Sequence, residues 1–136
     1  IIAILAGIVI IAINPGKQLG DTRNAQRQAD VTTILNAVYQ YSLDNNGTLP
    51  AAVTTSATEM CITGTLPATC TSGSLIDLTV VTTSGKYIAA LPKDPQCPAG
   101  CATNGNGYKI SKDAVTGRVT VMAINPEQGK TISVTR

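Results

Sequence analysis

The stretch IIAINPGKQ, residues 10–18, divides the chain into two parts of different chemistry. Before it, residues 1–13 (IIAILAGIVIIAI) carry no polar side chain; after it begins a polar, helix-forming sequence. Proline lacks an amide N–H and its ring crowds the carbonyl four residues back, and glycine adds backbone freedom. Asn14, Pro15 and Gly16 are therefore read as an interruption within a long N-terminal helix, either a simple bend or an extended stretch that lengthens the chain. The letters Ala-Ile-Asn-Pro return at residues 123–126, where they follow a β-branched run and are read as opening a turn.

At ~1.5 Å per residue the apolar run reaches about 20 Å, short of the ~30 Å hydrocarbon core of a bilayer. It has neither the basic flank nor the small-residue cleavage site of a signal peptide. Nothing else in the chain is large enough to surround it as a buried core helix. The expectation is a longer transmembrane-type helix whose first turns precede Ile1. Ile1, Ile2, Ile4, Leu5, Ile8, Val9, Ile10, Ile11 and Ile13 supply its bulk. Ala3, Ala6, Gly7 and Ala12 are small enough to let neighbouring helices approach closely.

Beyond the interruption, Val31, Ile34, Leu35, Val38, Tyr41 and Ser42 recur at helical spacing and form an apolar stripe with one polar member. Arg23, Arg27 and Asp30 are read as lying mostly off that stripe. The helix is expected to stop in LDNNGTLP, where Asn46 or Gly47 takes a left-handed cap and Pro50 prevents resumption. A helix over residues 1–45 would be a rod of ~65 Å, so its N-terminal part should protrude from the head.

At the other end, residues 108–112, 118–124 and 131–135 alternate or run β-branched, separated by DAVTG and NPEQG. They predict a three-stranded antiparallel meander whose apolar face needs a cover, and the helix stripe supplies one. Residues 48–107 are rich in Gly, Pro, Thr and Ser and read as a stapled loop region. Short elements are expected there at residues 75–81, taken as helical, and 86–91.

The chain has 136 residues, 43% of them hydrophobic and 13% charged, with no Phe, Trp or His. It is one domain with an aliphatic core. Without His no Ser/His/Asp or Cys/His arrangement can be built, so an enzyme is not expected and no cofactor is called for. A net charge of +2 offers no basic field for nucleic acid. Cys61, Cys70, Cys97 and Cys101 form two local pairs. A four-thiolate zinc site would want two closely spaced knuckles, and Cys61/Cys70 is too wide for one. Of the three disulfide connectivities that four cysteines permit, Cys61–Cys70 with Cys97–Cys101 is expected.

The apolar N-terminal helix, RNAQRQADVTTILNAVYQYSLDNNGTLP, YIAALPKDP (residues 87–95) and the closing GKTISVTR together resemble a bacterial type IV pilin or type II secretion pseudopilin. The resemblance covers nearly the whole chain, and its motifs are architectural. It implies an α+β pilin fold: a long protruding helix interrupted near residues 14–16, packed on a C-terminal meander beside a disulfide-stapled loop region. Residues 1–13 would be the filament-core helix, 14–47 its amphipathic continuation into the head, and 48–136 the head. The implied partners are further copies of the chain in a helical homopolymer, the inner membrane before assembly, a prepilin peptidase and the assembly machinery. The implied role is the major subunit of an extracellular filament at the cell surface. Alternatives are a pseudopilin in a short periplasmic filament, or a minor pilin that binds a surface or DNA. Family members begin with an aromatic residue and a Leu-Ile-Glu stretch; Ile1 corresponds to a point well inside that helix, so the assembly glutamate is not assigned here.

Three smaller readings complete the sequence. Lys17, Arg23 and Arg27 are candidates for inter-subunit pairs with Asp21 and Asp30. Asn46-Gly47-Thr48 fits the glycosylation sequon, although Asn-Gly is independently expected at a helix end. Asp94, in PKDPQC, reads as a turn residue, or as a calcium ligand like that of some pseudopilins.

Overall fold

The computed structural model describes residues 14–136. The apolar run at residues 1–13, where the filament-core helix is expected, lies outside the described residues. The chain is α+β. Helix α1 (Pro15–Asp44) is followed by β1 (Thr58–Cys61), two short helices, α2 (Pro67–Ser72) and α3 (Thr79–Thr82), and a 3-10 turn, Thr83–Gly85. Strands β2 (Gly105–Lys112), β3 (Val119–Ala123) and β4 (Ser133–Thr135) complete it. Among the described residues no helix is long and apolar enough to cross a membrane.

Helix α1 begins inside the NPG motif, at its proline. Asn14 is extended (φ −100°, ψ 99°), and its side chain accepts a hydrogen bond from the Lys17 amide at 3.1 Å. Pro15 is the first helical residue, where a missing N–H costs nothing and the fixed φ suits the helix. Of the three residues expected to interrupt the helix, Asn14 is extended and caps α1, whereas Pro15 and Gly16 belong to α1. At the far end Asn46 (φ 56°) and Gly47 (φ 82°) turn left-handed, and the Gly47 amide donates to the Ser42 carbonyl at 2.8 Å. The thirty residues of α1 span ~45 Å. Residues 14–19 are exposed, so the first turns project beyond the head.

The sheet runs in the order β1-β2-β3-β4 with every neighbouring pair antiparallel. It has four strands where the sequence predicted three. The missed strand, TEMC, is four residues long and lies inside the Thr-rich segment, too short for a period to show. Its partner on β2 is Ile110 opposite Thr58 and Gly105 opposite Cys61, about fifty residues away in the chain. Residues 75–81 are part strand-like and part helical: Ile76 bridges Met60, and α3 starts at Thr79. Residues 86–91 form no regular element, correcting that expectation; Leu91 is tied instead through its amide to Thr63 Oγ1.

Val31, Ile34, Leu35 and Val38 on α1 are fully buried against Tyr108, Ile110, Val119 and Val121 of the sheet. Val53, Met60, Leu78, Val81 and Leu91 extend the same core under the loop region. At roughly 25 cal/mol per Å² of apolar surface, these aliphatic side chains supply the main stabilising term. Disulfides join Cys61 to Cys70 and Cys97 to Cys101, and no described cysteine is free.

Candidate functional site: an ion-pair junction beneath the helix

The buried stripe of α1 does not begin at Val31. Gly20, Asn24 and Arg27 are buried too, in helical phase with Val31, Ile34 and Val38. The lower half of the stripe is therefore polar, and it faces the two loops that flank the sheet. Arg27, expected off the stripe, is fully buried.

All five N–H donors of its guanidinium are used. Nε and Nη2 grip Asp94 as a fork, at 2.7 and 3.1 Å. Nη2 also donates to Gln96 Oε1 at 2.7 Å. Nη1 donates to Asn24 Oδ1 at 3.0 Å and to Glu127 Oε2 at 2.8 Å. Glu127 is shared with Arg23, whose Nε lies 2.6 Å from Oε2 and whose Nη2 contacts Oε1. Asn24 closes the seam by exchanging hydrogen bonds with the Glu127 backbone, at 2.8 and 2.9 Å. Two arginines face two carboxylates, so the junction is neutral.

The electrostatics follow from this geometry. Hydrogen bonds from Arg23 and then Arg27 hold the Glu127 carboxyl down at about 2. The hydrogen bond to Asp94 raises Arg27 further above its ordinary value, against the cost of burial. One turn along α1, Asp30 accepts from the Tyr108 hydroxyl at 2.5 Å. Burial pushes the Asp30 carboxyl up, and the Tyr108 hydrogen bond partly offsets this. Burial and Asp30 together push the Tyr108 phenol far above its usual range.

A second buried carboxylate holds the same loop from the other side. Glu59 on β1 accepts from the Ala102 amide at 3.1 Å and the Gly107 amide at 2.9 Å. Gly107 has φ +87°, and a Cβ there would stand 2.5 Å from Asp94 Cβ and 3.0 and 3.1 Å from the sulfurs of Cys97 and Cys101. The opening of β2 is thus packed between Glu59 and the Asp94–disulfide loop, which is why Gly-Asn-Gly stands there. Asn125 ties the two loops together, donating to the Gly100 carbonyl at 2.8 Å.

The predicted site residues fall into two groups. Arg23, Arg27 and Asp30 are engaged within the chain, to Glu127, Asp94 and Tyr108, which corrects the expected pairing between subunits. The physical reason is the NPEQG turn, which folds back under α1 and delivers Glu127. Lys17 and Asp21 pair with each other one turn apart on the exposed surface, at 3.8 Å. Asp94 has both oxygens taken by Arg27 and the Gln96 amide, so a guanidinium stands where a calcium ion was considered. Asn46 is exposed at the helix end. Sequence reasoning missed Glu127, Asn24, Gln96 and Glu59. The phase of Asn24 and Arg27 relative to Val31 was the available signal.

With every donor matched to an acceptor, the junction is a cross-link between α1 and two loops. Among the described residues no group of three metal-ligating side chains converges, and no buried side-chain polar atom lacks a partner. Comparison with protein-family models, curated proteins and solved structures finds no match to this chain.

Proposed function

We propose that this chain is the structural subunit of an extracellular type IV pilus-like filament, with a pilin fold and no catalytic role. The observation that carries the reading is the projecting α1. Its upper stripe is buried in the core, its lower stripe is locked to the head by Arg27, and its first turns stand clear of the head directly after the apolar run. A helix held so firmly at one end and offered at the other is suited to carrying load from a buried filament core to an outer head. Residues 1–13 would pack in that core, held first in the inner membrane. The aliphatic core and two disulfides suit a head outside the cell.

Shearing of intact source cells, followed by mass spectrometry and electron microscopy of the released material, tests this. The expected result is long filaments in which this chain is the main protein mass. Recovery only from the envelope, with secretion components, would assign it instead to a short pseudopilin filament. Trace amounts at filament tips would make it a minor, surface- or DNA-binding subunit.

A further inference from the structure

Two surface features that the fold itself does not use lie at opposite ends of the β1–β2 ladder. At the Lys112 end, the turn between β2 and β3 presents Val115, which is 93% exposed. The turn is rigid. The Asp113 carboxylate accepts from the Val115 amide at 2.9 Å, the Thr116 amide at 2.7 Å and the Thr116 hydroxyl at 3.0 Å. An apolar side chain is thus held at a fixed point in water, pre-organised rather than carried on a slack loop.

At the other end, where Cys61 pairs with Gly105, a cavity of ≈ 380 Å³ opens beside β1. Leu78 and Leu91 are buried in its wall, and Leu66, 71% exposed, stands at its lip next to Pro67. Asp77 is the one ionisable group lining it. The knob carries the opposite bias: Lys112 and Arg118 flank Val115 and outnumber the one carboxylate there, Asp113, which is hydrogen-bonded within its own turn as Asp77 is to Thr79. The eight residues of β2 put roughly 25 Å between knob and cavity, so one molecule cannot fill its own.

We infer that Val115 of one copy seats in the Leu66–Leu78–Leu91 cavity of the next, with Lys112 and Arg118 facing Asp77. Such a contact uses two different patches. It is therefore heterologous, and it propagates as an open polymer instead of closing into a dimer. It gives the heads a contact of their own, separate from any packing of N-terminal segments. It rests on the filament reading for its setting, but the contact is between two copies of this chain in any setting.

The test places a benzophenone amino acid at position 115 of the full chain. Light is applied both to sheared filaments and to the detergent-solubilised chain at high concentration. The expected product is a covalent dimer whose cross-linked peptide maps to residues 61–67 or 77–83. A cross-link mapping elsewhere, one made only to other proteins, or no dimer in either sample would overturn the inference. Filaments whose cross-links map elsewhere would overturn the contact and leave the filament reading standing. If no filaments form, the solubilised sample decides. As a second reading, Val115→Asp and Leu66→Asp should each lower dimer yield at least tenfold. Asp77→Lys should do the same and be partly restored by Lys112→Asp. Val115 and Leu66 are exposed, so the melting temperature of those two variants should stay unchanged and separate lost docking from lost folding.

Discussion

Arg27 is a buried cation whose every donor is satisfied, and its removal would strand the buried Asp94 carboxylate rather than merely delete a contact, while Glu127 keeps Arg23. Breaking one side of a buried pair costs about 3–5 kcal/mol, because the uncompensated partner stays behind. Arg27→Ala is expected to lower the unfolding free energy by that amount in urea titration. Arg27→Lys should recover little, since an ammonium cannot span the Asp94 fork together with Asn24 and Gln96. Glu127 sets a pH window. Its carboxyl is held down at about 2 against an ordinary 4.5, so its contribution is fully present above 4.5 and is lost as pH falls towards 2. The melting-temperature gap between wild type and Glu127→Gln should therefore be widest at neutral pH and close near pH 2. An equal gap at pH 7 and pH 2 would contradict this. Asp30, pushed up by burial, works in the opposite direction, but it is common to both proteins and drops out of the difference. Arg27 was read off the stripe, although its distance of four to Val31 carried the signal. Its partners were not, because Asp94 and Glu127 are 67 and 100 residues away along the chain.

At the scale of elements, the start of α1 and the opening of β2 are the two places where local chemistry is decisive. Asn14 caps α1 through Lys17, and Asn14→Ala should cost about 1 kcal/mol of helix stability. Hydrogen exchange should show faster exchange at the amides of Lys17 and Gln18 and no change around Val38. Gly107→Ala meets a positive φ and three close neighbours at once. The left-handed conformation and the overpacking together cost roughly 2–5 kcal/mol. Denaturant titration should show that loss, whereas Gly117→Ala, with φ +70° but open space around it, should lose only the conformational part. The long helix and the strands read at residues 108–112 and 118–124 were legible because each carries enough residues for a period to show, whereas residues 105–107, read as loop, open β2. Strand β1 was not, since four residues with a buried Glu59 hold no readable alternation. The segment at residues 75–81 resisted assignment because it serves both a β-bridge and a helical turn.

At the scale of the whole molecule, the two disulfides and the Arg27 junction do the same work in different chemistry, fixing the loop region to helix and sheet. Each disulfide closes a short loop and restricts the unfolded chain, by roughly 2–3 kcal/mol. Cys97→Ser/Cys101→Ser should lower the melting temperature measurably. It should also speed hydrogen exchange across residues 94–107, because the ring it opens packs on Gly107 beside Asp94. The sequence by itself determined the α+β class, the long helix with its stop signal, the two local cysteine pairs and the apolar run before Asn14. These are carried by neighbours a few residues apart, and backbone sterics and side-chain period act at that range. Only the tertiary structure decided that a fourth strand completes the sheet and that Arg23 and Arg27 turn inward to Glu127 and Asp94. A buried ion pair is stable only where folding removes water from both partners at once, and that depends on contacts across the whole chain.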